Sequence, residues 1–127
     1  MEVSKPKKIF IVDDDEMLTM AMEDYLTKDT PHNISIFHTG EDAIKSIQEN
    51  PDVVILDYFL NSVDKTAADG LEILKAIRKH LPDTQFIMLS SQESYSTAAK
   101  TIQQGAEHYV IKDEDSFEKI ASLIRKN

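Results

Sequence analysis

Five short apolar segments alternate with segments of helical periodicity, and this alternation limits the fold more than any other feature of the sequence. The apolar segments lie at 9–12, 34–37, 53–56, 86–89 and 109–111. Four of them are nearly continuous, which is typical of strands buried on both faces of a parallel sheet. The second segment contains Ser35 and is expected to form an edge strand.

Between these segments, apolar residues recur three and four positions apart, the spacing of a helix that buries one face. The clearest stripe comprises Leu18, Ala21, Met22, Tyr25 and Leu26. Similar stripes cover 71–81 and 117–124, a shorter one covers 43–47, and the weakest covers 98–102. The weak fourth stripe predicts that the fourth helix is the least firmly anchored.

Residues that start and stop helices stand at the expected boundaries. Asp69 and Asp115 each precede a Glu by three positions, the spacing of a capping box. Asp15 and Thr39 are expected to cap the first and second helices. Gly105 is expected to end the fourth helix in a left-handed conformation.

The order of elements is therefore a strand followed by a helix, five times over. Parallel strands joined by right-handed crossovers carry helices on both sheet faces. We predict an α/β fold with a doubly wound five-stranded parallel sheet, flavodoxin-like (βα)5, in the strand order 2-1-3-4-5. A single domain is expected over 1–127, with its core from about 8 to 124. The segment 58–69 is long for a connection in such a fold.

Composition excludes several classes of protein. Fourteen Lys and Arg against twenty-three Asp and Glu give a formal net charge of −9, which argues against direct nucleic-acid binding. The chain has no cysteine, which excludes disulfides, thiolate metal sites and cysteine nucleophiles. The apolar segments are far shorter than the ~20 residues of a membrane helix. We therefore expect no membrane association and a cytoplasmic location.

Polar, reactive side chains follow four of the five predicted strands. They are Asp13, Asp14, Asp57, Ser90 and Lys112, with Asp15 and Ser91 beside them. Ligands of open α/β sheets bind beyond the carboxyl ends of the strands. In the predicted order the first strand lies beside the third, about 4.8 Å away, so Asp13 or Asp14 must come close to Asp57.

Carboxylates crowded in this way repel one another, and at least one is expected to take up a proton. A hard divalent cation, either Mg²⁺ or Mn²⁺, would relieve the repulsion and leave coordination positions for phosphate oxygens. Lys112 and Ser90 could each hold a phosphoryl oxygen. Asp57 is the best candidate for a nucleophile that forms an aspartyl phosphate, with Asp13 and Asp14 as metal ligands.

With these residues at its strand ends, the sequence resembles the CheY-like receiver domain of two-component response regulators. The segment 11–15 is similar to the family's acidic pair after the first strand, and 54–57 to its phosphoacceptor strand. The segments 88–91 and 105–112 are similar to its Ser/Thr switch position and to its switch aromatic and lysine. The resemblance covers nearly all of the chain.

The resemblance implies that Asp57 takes a phosphoryl group from a phosphohistidine of a sensor histidine kinase or phosphotransfer protein. Asp14 and Asp57 would bind Mg²⁺ directly, together with the backbone carbonyl of Phe59. Asp13 would act through a bound water.

The resemblance also implies a switch. Ser90 would move toward the phosphoryl group and Tyr109 would turn inward behind it. The surface of the fourth helix, fifth strand and fifth helix would change, and a downstream protein would read it. A phosphorylation-dependent homodimer is a further expected output.

Three features depart from the family pattern. The loop after Asp57 is about five residues longer than usual, and Asn61 stands where a proline is common. Asp113 follows Lys112, where many members have a proline. Phe59 is bulky and is expected to hinder water and lengthen the life of the phosphoryl group.

Two other functions stay open. The first is a receiver-like interaction module that works without phosphorylation. Such a module would not need the intact set of acidic, hydroxyl and ammonium groups, so their presence argues against it. A Mg²⁺-dependent phosphohydrolase would need a second carboxylate near the nucleophile, and position 59 holds Phe. We therefore expect a protein that catalyses only its own phosphorylation and dephosphorylation and is not a turnover enzyme.

Overall fold

The computed structural model describes residues 5–60, 69–91 and 94–126. The strands are β1 (Lys8–Val12), β2 (Asn33–Phe37), β3 (Val53–Asp57), β4 (Gln85–Ser90) and β5 (His108–Ile111). The helices are α1 (Glu16–Leu26), α2 (Gly40–Ile44), α3 (Gly70–Arg78), α4 (Tyr95–Gln103) and α5 (Ser116–Arg125), with a 3-10 turn at Ile47–Glu49. All strand pairs are parallel, and their order β2-β1-β3-β4-β5 confirms the prediction.

Alternate side chains of each central strand enter two separate cores, one on each face of the sheet. Phe10 and Leu56 pack with Ile77 of α3 on one face. Ile55 packs with Met22 of α1, and with α5, on the other. Every residue of β3 and β4 is buried, whereas β2 is mostly half-buried, and the strand order confirms β2 as an edge strand. Burial on both faces explains the near-continuous apolar segments of β1, β3 and β4. The expectation is wrong for β5, which lies at the other edge of the sheet and is only partly buried.

Most of the predicted helix ends are confirmed, and one cap is wrong. The side chains of Asp15, Thr39 and Asp69 accept the expected backbone N–H bonds, and Gly105 has a φ of 115°. Asp115 makes no side-chain capping bond because its ψ of 1° is not the extended conformation that a cap requires. Instead Asp113 Oδ1 accepts the Asp115 N–H at 2.9 Å.

Two helices are shorter than their apolar stripes. The stripe over 43–47 spans both α2 and the 3-10 turn, and Asn50 follows in a left-handed conformation with φ 54°. Helix α3 ends at Arg78, although Leu81 is still buried. The residue before a proline is disfavoured in a helix, and Pro82 follows Leu81. None of the described helices is long and apolar enough to span a membrane.

The parallel register brings the carboxyl ends of four strands to one edge of the sheet. Val12 pairs with Leu56, so Asp13 and Asp57 follow at the same level. Ser90 pairs with Ile111, so Lys112 leaves the sheet beside Ser90. The residues predicted to carry the chemistry therefore lie around one opening.

Candidate functional site

Three carboxylates meet at this edge of the sheet. Asp13, Asp14 and Asp57 each offer an oxygen atom, and these atoms all lie within 4.8 Å of one another. Asp57 is the last residue of β3, and the other two follow β1 directly. Asp13 is 1% exposed and Asp57 3% exposed, while Asp14 is half-buried at the opening. The crowding expected from the strand order is therefore present.

Lys112 places its ammonium between the two buried carboxylates. Its Nζ lies 3.1 Å from Asp13 Oδ2 and 3.2 Å from Asp57 Oδ1. The backbone N–H of Lys112 donates to the Ser90 carbonyl at 2.7 Å, which holds the start of the side chain against β4. Asp113 stands where many family members have a proline, and the Lys112 ammonium still lies within ion-pair distance of both carboxylates.

Local turns orient both buried carboxylates. Asp13 Oδ1 accepts the Asp15 N–H at 3.0 Å, and Asp57 Oδ1 accepts the Phe59 N–H at 3.2 Å. An aspartate that binds the backbone two residues on is a common turn former. Within the described residues, Asp13 Oδ2 accepts no hydrogen bond of good geometry, and the Lys112 ammonium is its ion-pair partner. A buried carboxylate oxygen of this kind suits a cation or a cation-bound water.

The pKa values follow from burial and from these close charges. Burial raises the pKa of Asp57 to about 6, and repulsion from the Asp13 carboxylate also raises it. The Lys112 charge and the hydrogen bond from the Phe59 N–H lower this pKa, but they do not outweigh the first two effects. Burial also raises the pKa of Asp13. Burial alone would lower the pKa of Lys112, but attraction to both carboxylates outweighs it and raises that pKa. The proton uptake expected from crowded acids therefore falls on the coupled pair of buried carboxylates, Asp13 and Asp57, whose pKa values are both raised.

Ser90 ends β4, the strand beside β3, and Tyr109 lies within β5, the next strand along the sheet. Ser90 is fully buried at the end of β4. Tyr109 is half-buried, pairs with Met88 in the sheet and packs against the core on the α3 face. The register thus places Ser90 beside the start of Lys112, whereas Tyr109 lies within β5, opposite Met88.

Phe59 contacts the site through its backbone N–H, which donates to Asp57 Oδ1. The ring is half-buried and packs edge-on against Tyr58, with centroids 5.0 Å apart. The loop predicted over 58–69 continues from here, but 61–68, including Asn61, lie outside the described residues.

Two residues at the site were not assigned from sequence. A Cβ on Gly70 would lie 2.2 Å from the Asp57 carbonyl oxygen, so only glycine lets α3 start this close to the end of β3. His38 Nδ1 lies 2.9 Å from the Asp13 carbonyl oxygen. The sequence Asp69-Gly70 at a helix start is a signal for the first, and nothing local points to the second.

Comparison with known proteins agrees with this geometry. The family model "Response regulator receiver domain" matches residues 9–125. The chain belongs to this family. Receiver domains are signalling modules that bind Mg²⁺ at an acidic pocket and interact with histidine kinases or phosphotransfer proteins and with downstream effectors.

The receiver is similar to several curated response regulators. It is 29% identical to the response regulator protein VraR of Staphylococcus saprophyticus over 125 residues, which are 95% of this chain and 56% of that protein. It is 32% identical to the regulatory protein LuxO of Vibrio cholerae over 103 residues, 80% of this chain and 21% of that protein. The chain thus spans about half the length of VraR, and less of LuxO.

Solved receiver structures share the fold. The BeF3-activated DrrB receiver domain superposes with a TM-score of 0.82 at 27% identity, covering 95% of this chain and 96% of that one. The response regulator DrrB of Thermotoga maritima gives 0.81 at 27% identity, covering 95% and 52%. The predicted family and fold are confirmed.

Proposed function

We propose that this receiver domain accepts a phosphoryl group on Asp57 in a Mg²⁺-dependent reaction. The observation that carries the proposal is the position of the Asp57 carboxylate, which is buried between the other two acids and the Lys112 ammonium. A carboxylate in this setting can attack phosphorus, because nearby cations can neutralise the charge that spreads over the phosphoryl oxygens.

The donor is a phosphohistidine of a sensor histidine kinase or phosphotransfer protein. A carboxylate oxygen of Asp57 forms the new O–P bond while the P–N bond breaks. The imidazole leaves with the electron pair and then takes a proton. The acyl phosphate that remains on Asp57 is later cleaved by water, so the chain is modified and not turned over on a substrate.

The residues at the opening fit a magnesium ion. Three hard oxygen donors converge, and the buried Asp13 Oδ2 accepts no well-aligned hydrogen bond within the described chain. Asp14 and Asp57, with the Phe59 carbonyl, would hold the ion directly, and Asp13 would hold a bound water. When bound, the ion supplies positive charge to the phosphoryl oxygens and screens the acids from one another.

Lys112 and Ser90 complete the site from the other side. The Lys112 ammonium leaves its place between the acids to pair with a phosphoryl oxygen, and the Ser90 hydroxyl donates to another. Phosphorylation adds about −1.5 to −2 charge, enough to bias a two-state loop. Tyr109 then turns inward, and the α4–β5–α5 surface changes for a downstream protein or for a second copy of the chain.

Incubation with Mg²⁺ and acetyl phosphate, followed by intact-mass measurement, tests the proposal. We expect the wild type to gain the mass of one phosphoryl group, and Asp57→Asn and chelator-treated wild type to gain none. Peptide mapping should place the group on Asp57. A wild type that never gains this mass would overturn the proposal and favour an interaction module that works without phosphorylation.

The intact set of Asp13, Asp14, Asp57, Ser90 and Lys112 supports phosphorylation over that alternative. The cytoplasmic location and the single-domain extent expected from the sequence stay predictions. Isolation of the protein with a kinase that phosphorylates it would identify the phosphodonor.

A further inference from the structure

The guanidinium of Arg78 joins two loops at the edge of the sheet opposite the acidic site. Arg78 is the last residue of α3 and is half-buried. Its Nη1 donates to the carbonyls of Leu81 (3.3 Å), Pro82 (3.0 Å) and Thr84 (2.8 Å). Its Nη2 donates to the Gly105 carbonyl and to Glu107 Oε1, the latter at 2.6 Å. One side chain thus binds the α3–β4 loop to the α4–β5 turn.

Glu107 extends the connection to the first residues of β4. Its Oε2 accepts the Phe86 N–H at 2.6 Å, and its own N–H donates to the Phe86 carbonyl at 3.0 Å. The Arg78 guanidinium lies 4.5 Å from the centroid of the Phe86 ring, at cation–π distance. The planar fork of arginine makes several of these bonds at once, which lysine cannot do.

Gly105 fits tightly into this arrangement. It ends α4 with a φ of 115°, and a Cβ there would lie 3.1 Å from Arg78 Nε. The Gly105 and Ala106 N–H groups donate to Ile102 and Thr101 of α4. The C-terminal end of α4 is therefore tied to α3, β4 and β5 through Arg78 and Glu107, which we call the Arg78 anchor.

The N-terminal end of α4 is held very differently. Tyr95 is 97% exposed, and Thr101, near the other end, is the buried residue of the helix. In the described part of the chain, the hydrogen bonds seen at the first turn are local: the Thr97 and Ala98 N–H groups donate to Ser94, and the Ser94 and Ser96 hydroxyls lie 3.2 Å apart. This end of α4 is the one that follows Ser90 and the candidate site.

We propose that the Arg78 anchor fixes the C-terminal end of α4, so that the response of α4 to phosphorylation is confined to its N-terminal turn. The anchor itself is a property of the unmodified protein, and the confined response rests on the proposed function. Arg78 is thus a positioning residue for the signalling surface, far from the reacting atoms.

Amide hydrogen exchange resolved by NMR tests this proposal on the whole chain. The variants are Arg78→Lys, which keeps the cation but loses the fork, and Glu107→Gln, which keeps the side-chain size but loses the charge. Lys75→Arg is the control, because Lys75 is exposed one turn earlier on the same helix. Each protein is measured alone and with Mg²⁺ and beryllofluoride, and intact mass after acetyl phosphate treatment is recorded for each.

In the unmodified wild type, we expect the Gly105 and Glu107 amides to exchange more slowly than the Ala98 amide. Arg78→Lys should speed exchange at Gly105 and Glu107 about tenfold, because a partly buried hydrogen-bond network is broken there. Beryllofluoride should change exchange over 95–98 in the wild type and in Lys75→Arg, and over 95–107 in Arg78→Lys and Glu107→Gln.

Unchanged exchange at Gly105 and Glu107 in both anchor variants would overturn the proposal. A wild-type response spread evenly from 95 to 107 would also overturn it. A wild type that gains no phosphoryl mass and does not respond to beryllofluoride contradicts the proposed function and the confined response together. In that case, amide exchange at Gly105 and Glu107 in the unmodified variants still tests whether the Arg78 anchor holds the end of α4.

Discussion

Lys112 Nζ lies 3.2 Å from Asp57 Oδ1, and the same ammonium lies 3.1 Å from Asp13 Oδ2. One cation therefore compensates two buried carboxylates whose mutual repulsion, added to burial, raises the pKa of Asp57. This arrangement leaves an excess of negative charge at the opening. The excess is what a magnesium ion would compensate, and it gives several measurable consequences.

The first prediction concerns pH in the absence of metal. Burial raises the pKa of Asp57 from 3.8 to about 6, so the native state holds this proton more tightly than the unfolded state does. The free energy of unfolding of the wild type, relative to Asp57→Asn, should fall by about 2 kcal/mol as pH rises from about 4 to about 6. Urea unfolding at a series of pH values with chelator present measures this. A difference that is independent of pH would contradict it.

The second prediction concerns Mg²⁺ binding. Mg²⁺ at about a hundred times its dissociation constant should stabilise the wild type by about 2.7 kcal/mol. Asp14→Asn should remove most of this gain because it removes a ligand at the opening. Asp15→Asn is the matched control, since the Asp15 carboxylate caps α1 by accepting the Leu18 N–H at 3.0 Å. Thermal unfolding with and without Mg²⁺ measures the gain, and equal gains in both variants would exclude Asp14 as a ligand.

The third prediction concerns the ammonium. Lys112→Met should slow phosphorylation by acetyl phosphate about a hundredfold, because a preplaced positive charge near the phosphoryl oxygens is lost. Lys119→Met serves as control, since Lys119 pairs with the exposed Asp113 at 3.4 Å. The rate of phosphoryl mass gain is the measurement. Equal rates in the two variants would show that Lys112 has only a structural role.

The fourth prediction separates packing from chemistry with two glycines. A Cβ on Gly70 would lie 2.2 Å from the Asp57 carbonyl oxygen, whereas one on Gly40 would lie 2.1 Å from the Ile73 side chain. Both alanine variants should lose about 1 to 3 kcal/mol of stability through overpacking. Only Gly70→Ala should also slow phosphorylation, because only it displaces the Asp57 backbone. Equal phosphorylation rates at matched folded fractions would contradict this.

The fifth prediction concerns the lifetime of the acyl phosphate. The Phe59 ring packs against Tyr58 beside the end of β3. We expect Phe59→Asn to shorten the half-life of the phosphorylated form severalfold, since a small polar side chain admits and orients water where an aromatic ring excludes it. Phe59→Leu, which stays apolar, should keep most of the lifetime. Decay of the phosphorylated mass after removal of acetyl phosphate gives the half-life, and an unchanged value in Phe59→Asn would refute the idea.

The sequence by itself determined the five strands, the approximate positions of the five helices and the candidate acids at the strand ends. This was possible because a strand that is buried on both faces has a continuous apolar segment, and a helix that is buried on one face has apolar residues three and four positions apart. The capping roles of Asp69 and Thr39 were also readable, since each cap involves a partner only three positions away. The predicted cap at Asp115 is wrong because the turn formed by Asp113 sets the backbone conformation of Asp115. The spacing of Asp115 and Glu118 does not indicate this conformation.

Only the tertiary structure decided which carboxylates share the Lys112 ammonium, how closely Gly70 approaches the Asp57 carbonyl, and that Arg78 binds the α4–β5 turn. In each case the partners come from separate elements, and their distance depends on strand register, sheet twist and helix docking. Those quantities are set by the packing of the two cores as a whole. A local pattern of residue types carries no measure of them, so the chemistry could be anticipated from the sequence but its geometry could not.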